Sequence, residues 1–397
     1  MELSHLRSLN SFGVSRLMPP LQDLQVLRVL DLEDYPEENG QGLYNYLENI
    51  GCLLHLRYLA LSWIEKLPVQ IGKLEFLQTL DLLGTNIEEL PETLIQLKRL
   101  IRLVGNGLRL PGGFCQMEAL QELWDVDVGI CSINFVEDLQ NLKQLRALGV
   151  HFYWLQSGYS KIGLRALASS LCNMGEHNLR YLQISNDTKH GDIDCLVDSW
   201  CGPQRSLECF VLGGSYDWFP RLPKWSNPSF SELTNLQCNV ELMEKEDLDM
   251  LGELPALLVL ELIVEKTPKD GLRVGQIGFS CLTCLVFYDI YGPGLMFEEY
   301  AMPKLEKLYL GLSAYSAYNA YGGFGLGIRH LSSLNLYSIS VGIERKCKYV
   351  PETKAAAMSI INNEFKSLPH PPKVEFTIIH VYGDLVVSIF AHVSLTT

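Results

Sequence analysis

The sequence has no excess of positive charge and no basic run. Its 32 Lys and Arg residues are outnumbered by 46 Asp and Glu residues, and the formal net charge at pH 7 is −14. Binding to nucleic-acid phosphates or to anionic lipid headgroups requires clustered Lys and Arg side chains. The composition therefore argues against a nucleic-acid partner and against a membrane-surface protein.

Regularly spaced cysteines and a long apolar run are also missing. The 11 cysteines follow no pattern that would define a disulfide framework, which favours a reducing compartment over secretion. The first residues lack the apolar core of a signal peptide. The most apolar run, residues 385–395, is well short of the roughly twenty residues that a membrane-spanning helix needs. We expect a soluble protein of the cytoplasm or the nucleus, without membrane insertion.

The usual motifs of catalysis, nucleotide binding and metal binding are absent. Gly72-Lys73 lacks the earlier glycine of a phosphate-binding loop, and no clear strand and helix flank the glycines of 323–327. The single CxxC, Cys281 to Cys284, has no second pair to complete a zinc site. No HExxH or GxSxG pattern occurs. The sequence predicts a non-enzymatic protein without catalytic residues, metal or cofactor, unless three dispersed residues meet in the fold.

What the sequence has instead is a repeating leucine pattern. Two strong copies begin at Leu56 and Leu77 and a third at Leu100, so the periods are 21 and 23 residues. The two complete copies read LxxLxL, then an isoleucine, then Leu-Pro and two apolar positions three residues apart. Further copies open at Leu27, Leu120, Leu145, Leu179, Leu207, Leu236, Leu257, Leu282, Leu305 and Leu336. A period of about 20–29 residues with this pattern is typical of a leucine-rich repeat solenoid.

The spacing within one copy predicts how the repeats fold. The fourth and sixth positions of LxxLxL lie two apart, so both side chains face one side of a strand. One repeat cannot bury its leucines alone, whereas stacked repeats bury them in a continuous core. We therefore predict an α/β solenoid shaped as a curved horseshoe. Short parallel strands line its concave face, and loops, 3₁₀ turns and short helices form its convex face.

The pattern predicts one long repeat domain with a short closing segment. Residues 1–345 are expected to form about 13 irregular repeats. Residues 346–379 are expected to form a capping helix and strand, and residues 380–397 have no assignment. Because the chain begins inside the array without a polar cap, we expect a truncated protein or a fragment of a longer one.

Several longer gaps between leucine copies have their own composition. Leucines three and four apart in 164–171 predict a convex helix. Residues 244–251 also predict a helix, with acidic residues in its first turn where the helix dipole favours them. The Gly-, Ala- and Tyr-rich segment 311–327 is expected to be a loop. The alternation in 374–379 predicts a closing strand.

The candidate site is the concave surface, because solenoids present extended binding surfaces there. Residues that flank the two inward positions of each copy should point outward, and large aromatic residues there are typical of protein interfaces. The predicted partner-binding residues are Tyr58, Asp81, Glu122, Trp124, Asp127, Tyr181, Tyr288 and Tyr309. The alternative for each aromatic residue is lateral packing on the neighbouring strand.

Two sets of motifs carry a resemblance to a known family. One is the run HLRYLALS, IEKLP, IGKL, LQTLDL and ELP within 55–91; the other comprises RLPKW at 221–225, LTNL at 233–236 and LGELP at 251–255. Together they resemble the leucine-rich repeat region of plant intracellular disease resistance proteins of the coiled-coil, nucleotide-binding class, in its grass form. The resemblance covers roughly residues 1–379. None of the motifs of that family's nucleotide-binding switch is found.

The resemblance implies a recognition module of plant innate immunity. The expected partner is a protein: a pathogen effector, a guarded host protein, or the nucleotide-binding domain of a receptor. The alternative is a general leucine-rich repeat scaffold, such as a substrate adaptor of a ubiquitin ligase or a regulator of a small GTPase. An extracellular receptor is disfavoured because the repeats read IxxLP and paired-cysteine caps are missing.

Overall fold

The leucine pattern forms strands whose side chains alternate between a core and an outer face. In the strand Tyr58–Leu61, the side chains of Leu59 and Leu61 are 0% exposed, whereas Tyr58 is half-buried. Equivalent leucines of neighbouring repeats, Leu80 and Leu103, are also fully buried. Burying one leucine side chain contributes about 1.5–3 kcal/mol. The stacked leucine columns therefore supply the main stabilising force of the fold.

The computed structural model describes residues 5–10, 18–33, 41–128, 133–152, 160–174, 178–186, 196, 199, 206–213, 218–222, 230–321, 325–342 and 373–377. The chain forms two compact units, Met1–Trp200 and Cys201–Thr397. We call them the first and the second unit. In both, the outer face is the side of the main sheet that points away from the leucine core.

The first unit contains a parallel sheet in which each strand pairs with the next one along the chain. Because the strands are parallel, each connection must bring the chain back to the end of the sheet where strands begin. This is the topology predicted for stacked repeats. The strands are β1 (Ser8–Asn10), β2 (Val29–Leu32), β3 (Tyr58–Leu61), β4 (Thr79–Asp81), β5 (Arg102–Leu108), β6 (Glu122–Asp127), β7 (Ala147–Phe152) and β8 (Tyr181–Asn186).

Short 3₁₀ turns and helices connect these strands. Pro68 and Pro91 precede two of the turns with extended backbone (ψ 145° and 146°), consistent with a residue that lacks an N–H donor. The turns are Leu21–Asp23, Ile50–Cys52, Val69–Lys73, Glu92–Gln96, Phe114–Gln116 and Leu139–Asn141. The helices are α1 (Gln41–Leu47), α2 (Ile133–Asp138) and α3 (Ser160–Asn173). Helix α3 confirms the helix predicted for 164–171.

The second unit repeats the same architecture. Its main sheet is parallel, and the connections between β11, β13 and β15 carry a small second sheet formed by β12 and β14. The strands are β9 (Cys209–Leu212), β10 (Asn235–Leu242), β11 (Val259–Lys266), β12 (Leu272–Val274), β13 (Cys284–Asp289), β14 (Leu295–Phe297), β15 (Lys307–Ser313), β16 (Leu336–Gly342) and β17 (Lys373–Thr377).

The second unit contains two helices, of which one was predicted from the sequence and the other was not. Helix α4 (Lys245–Gly252) confirms the helix predicted for 244–251. The loop predicted for 311–327 is wrong, because β15 continues to Ser313 and helix α5 (Ala314–Tyr321) follows. Alanine has the highest helix propensity, and the buried Ala317 packs α5 onto the unit, which outweighs the glycines on either side. One 3₁₀ turn, Ile328–His330, follows.

The end of the chain is described in part. Strand β17 overlaps the closing strand predicted for 374–379 and pairs parallel to β16. The predicted capping helix after residue 345 and the tail 380–397 lie outside the described residues. Within the described ranges, none of the helices combines the length and the apolar character needed to cross a bilayer.

Candidate functional site

The outer face of the first unit presents its side chains in rows that run across the strands. The pairing register aligns the first outward residue of each strand with the first outward residue of the next. This first row contains Val29, Tyr58, Thr79, Arg102, Glu122, Ala147 and Tyr181. A second row, two residues further along each strand, contains Asp31, Ala60, Asp81, Val104 and Trp124.

Trp124 and Tyr181 form an aromatic pair on this face. Their ring centroids are 4.7 Å apart and the ring planes meet at 67°, an edge-to-face arrangement. Strand β7 lies between them and carries the small residues Ala147 and Gly149 at the outward positions. A Cβ atom on Gly149 would lie 3.1 Å from Trp124 Cε3. The glycine therefore provides the space in which the indole reaches across β7.

Glu122 connects this pair to Arg102. The Nη1 atom of Arg102 lies 2.6 Å from Glu122 Oε2, and Trp124 Nε1 donates a hydrogen bond of 3.3 Å to the same oxygen. The Arg102 and Glu122 side chains are 42% and 37% exposed. An ion pair this exposed contributes little to stability. Its structural effect is to hold the indole and the guanidinium in fixed positions. We call Arg102, Glu122, Trp124 and Tyr181 the Trp124 cluster.

A bulge in β6 shapes the region beside the cluster. The register between β6 and β7 shifts between Leu123 and Val126, and Asp125 has a positive φ of 56°. One extra residue in a strand sharpens its twist and redirects a side chain. The Asp125 carboxylate consequently lies 3.3 Å from His151 Nδ1. Asp127, in register with His151, is buried at 4% exposure.

Tyr58 and Asp81 lie further along the same face. Asp81 is buried at 9% exposure, and its Oδ1 accepts a 3.1 Å hydrogen bond from the backbone N–H of Leu83. Its side chain therefore closes the turn after β4. Burial raises the pKa of the Tyr58 hydroxyl, and the negative charges of Asp81, Glu33 and Asp31 raise it further. Tyr58 thus borders an acidic part of the face.

Tyr288 and Tyr309 belong to the second unit and lie on adjacent strands. Tyr288 of β13 is half-buried and packs against Gly311 of β15, where no larger residue would fit. Tyr309 of β15 is half-buried and lies in register with Val286. Among the eight predicted residues, the structure brings Trp124 into contact with both Glu122 and Tyr181. It places Asp81 and Asp127 in buried positions.

The sequence analysis missed Arg102 and Gly149. Arg102 occupies the same position in its repeat as Tyr58 does, so applying the repeat register to basic residues would have found it. Gly149 gives no signal by itself, because its role depends on which side chain the neighbouring strand directs toward it.

A column of arginines along the edge where strands begin was also missed. The residue after the first leucine of a repeat is arginine in five repeats of the first unit: Arg7, Arg28, Arg57, Arg146 and Arg180. Backbone hydrogen bonds of 2.8 Å join Arg28 to Arg7, Arg57 to Arg28 and Arg180 to Arg146. All five side chains are exposed. The three repeats between Arg57 and Arg146 carry Gln78, Ile101 and Gln121 at this position, so the arginines form two groups. We call the five residues together the arginine column, which places positive charge on an acidic chain.

Columns of buried leucines, parallel strands that pair in chain order and short turns on the opposite side define a leucine-rich repeat solenoid. Its outer face carries a cluster of residue types that dominate protein interfaces. The chain belongs to the leucine-rich repeat region family, whose model matches residues 5–374.

The chain is similar to disease resistance proteins of rice, Oryza sativa subsp. japonica. Disease resistance protein Pik-2 is 28% identical over 88% of this chain and 38% of that protein. Disease resistance protein RGA5 is 30% identical over 86% of this chain and 30% of that protein. The chain thus spans less than half of the length of these relatives.

A similar solved structure is a leucine-rich repeat protein from Leptospira interrogans. It shares 16% sequence identity with a TM-score of 0.46, over 94% of this chain and 96% of that chain.

Proposed function

We propose that this chain is the protein-recognition region of a plant disease resistance protein, that it acts in the cytoplasm or the nucleus, and that it is not an enzyme. Its partner on this proposal is a pathogen effector or a guarded host protein. The similarity to rice disease resistance proteins over most of the chain supports the biological context.

The Trp124 cluster is the observation that carries the proposal. Trp, Tyr and Arg are the residues most enriched at binding hot spots, and here all three occur together on one outer face. The cluster is held by internal contacts before any partner arrives. Side chains that are already positioned lose less conformational entropy on binding, which favours affinity.

Capture of partners from plant extract tests the proposal. The wild-type chain is immobilised, bound proteins are identified by mass spectrometry, and their affinity is then measured with purified partner. We expect W124A to weaken binding by more than about 1 kcal/mol, roughly fivefold in Kd, because the indole is a central contact.

The matched control is W63A, which removes another tryptophan that is 60% exposed and lies outside the cluster. Equal affinity of wild type, W124A and W63A would assign Trp124 to lateral packing on Tyr181 and contradict the proposal. Both variants are checked for native thermal unfolding beforehand. Capture of a ubiquitin ligase subunit or a small GTPase would favour the scaffold alternative instead.

The arginine column favours a second candidate, contact with a receptor's own nucleotide-binding domain. The relatives continue well beyond the region matched here, so another part of such a protein is available to dock on this edge. An acidic surface would complement the column. If the captured protein is a nucleotide-binding domain, charge reversal at Arg28 and Arg57 should weaken its binding while W124A leaves it unchanged.

A further inference from the structure

Glu261 is an acidic side chain on the second unit's outer face, between polar outward residues of β10 and less polar ones of β13. It lies on β11, in register with Gln237 of β10 on one side and Val286 of β13 on the other. The outward neighbours on its own strand are Val259 and Ile263. Polar side chains on an outer face are ordinary, but a carboxylate that is partly buried beside apolar residues such as Val286 loses hydration.

Two titratable groups at this position, the Glu261 carboxyl and the Cys284 thiol, have raised pKa values. Burial raises the pKa of the Glu261 carboxyl above its usual range. Burial also raises the pKa of the Cys284 thiol on β13, where the charges of Lys307 and Glu261 act in opposite directions. Glu261 is therefore close enough to Cys284 for its charge to act on that thiol, and Val286 and Cys284 of β13 are 1% and 4% exposed.

Glu261 differs from two other acidic side chains of this unit, Glu265 and Asp289, in having no group that compensates its charge. Among the described residues it has no ion pair and no hydrogen-bond partner. Glu265, further along the same strand, lies 3.2 Å from Lys266 Nζ. Asp289 accepts hydrogen bonds from Thr267 and Gly294. Lys307, the cation nearest in register, is exposed and lies two strands away without pairing with Glu261.

Two tyrosines border the same spot from the other side. Tyr309 of β15 lies in register with Val286, so Val286 forms a floor between Glu261 and Tyr309. Tyr288 lies two residues beyond Val286 on the same strand. Neighbouring strands are about 4.8 Å apart, which places the Glu261 and Tyr309 positions roughly 10 Å apart. A side chain with an apolar stem and a cationic end fits such a space.

We infer that Glu261, Val286, Tyr288 and Tyr309 form a receptor site for an arginine or lysine side chain of the protein partner. The inference rests on the proposed function, since it assumes that the outer face binds protein. The carboxylate pairs with the cation, the aromatic faces attract it, and Val286 contacts the aliphatic stem. Pairing restores to Glu261 the stabilisation that it loses by burial, so the site favours a basic residue over any neutral one.

The site can be tested without knowing the partner. The full chain, labelled with ¹⁵N and ¹³C, is titrated with N-acetyl-L-arginine methylamide, the corresponding lysine compound and the neutral citrulline isostere, followed by NMR. We expect saturable millimolar binding of the two cations, with shifts confined to the strands β10, β11, β13 and β15. E261Q should weaken this binding at least tenfold, and the citrulline compound should not bind.

E265Q is the matched control, because it removes an already paired carboxylate from the same strand. It should bind the arginine compound like wild type. Thermal unfolding separates binding from structure: E261Q should unfold at the same temperature or higher, whereas a carboxylate needed for folding would lower that temperature.

Equal binding by E261Q and wild type, or equal binding of the citrulline compound, would overturn the inference. Failure here leaves the Trp124 result untouched, because W124A is measured with the captured partner on the first unit. Conversely, a neutral W124A result with a positive arginine titration would reject the Trp124 cluster alone.

Discussion

Asp289 shows how one residue can organise a connection. It ends β13 and is 1% exposed. Its Oδ2 accepts hydrogen bonds from Thr267 Oγ1 at 2.7 Å and from the backbone N–H of Gly294 at 3.0 Å. These bonds fix the chain where it turns from β13 toward β14. Burial raises the pKa of the carboxyl to about 6 from 3.8, although the hydrogen bonds act in the opposite direction.

This pKa shift predicts a pH dependence of stability. The folded state holds the Asp289 proton more tightly than the unfolded chain, so the stabilising contribution of the protonated form is complete below pH 3.8. It is lost as pH rises through about 6. The change amounts to at most about 3 kcal/mol, at 1.36 kcal/mol per pKa unit. Urea unfolding between pH 4 and pH 7 measures it.

The D289N variant isolates this contribution from all other titrations. Its side chain is neutral throughout, so wild-type stability should fall relative to D289N as pH rises from 4 to 7. Tyr321, whose pKa is raised by burial and by the charge of Asp289, faces the same region and stays protonated in this range. A constant difference between wild type and D289N across the range would disprove the assignment.

For the candidate site residues, the repeat pattern predicts the face of the strand on which each lies but not its burial. The alternation predicted which positions face away from the core, and Tyr58, Glu122, Trp124, Tyr181 and Tyr309 occupy the outer rows. The repeat pattern does not predict whether an outward side chain is accessible. Asp81 and Asp127 are buried although their positions lie on the strands' outward side, and Asp81 accepts a hydrogen bond from the Leu83 N–H there.

At the scale of single elements, local chemistry decides where helices begin. Helix α4 starts with a capping box: Glu244 accepts the backbone N–H of Asp247, and Asp247 Oδ2 accepts the backbone N–H of Glu244 at 2.8 Å. Leu248 and Leu251 then turn one face into the core. The acidic first turn seen in the sequence thus acts by direct hydrogen bonds as well as through the helix dipole.

The cap gives a prediction for α4. D247A should lower the free energy of unfolding by about 0.5–1 kcal/mol, because it leaves the Glu244 N–H without its carboxylate. Hydrogen exchange in the first turn of α4 should rise at the same time. D249A is the control: Asp249 is exposed and makes no cap, so its removal should be neutral. Equal losses for both variants would refute the role of the box.

Helix α5 was not predicted, because the glycines counted in the composition of 311–327 lie outside the helix itself. Glycines before and after the segment suggest a loop, but glycine penalises a helix only where it lies inside it. Residues 314–321 contain no glycine and three alanines. The hydroxyl of Tyr321 donates a 2.9 Å hydrogen bond to the backbone carbonyl of Gly294. This contact ties the end of α5 to the chain before β14.

At the scale of the whole molecule, stability is shared between neighbouring repeats. Leu80 is 0% exposed and lies in register with Leu59 and Leu103 of the adjacent strands. No repeat encloses its own leucines, so each strand depends on both of its neighbours. The consequence is that damage to one repeat should spread to the next ones and fade with distance along the stack.

L80A tests this dependence. Truncation of a buried leucine should cost about 2–5 kcal/mol, through lost burial and a residual cavity. Hydrogen exchange should accelerate most in β3, β4 and β5 and least in β7 and β8. L83A, in the same repeat with 46% exposure, should change stability by less than about 0.5 kcal/mol. Uniform acceleration across the first unit would show that it unfolds as a single cooperative block instead.

The sequence by itself determined the repeat, the direction of its leucines, the parallel strands and the helices α3 and α4, because each follows from residues within one period. The tertiary structure decided the rest: the two compact units, helix α5, the contact of Trp124 with Tyr181 across β7, and the enclosure of Glu261 by β10 and β13. These features depend on register between strands that lie far apart in the chain. A repeat pattern specifies that strands stack, but the sizes and charges of the residues that meet across them set the chemistry of the surface.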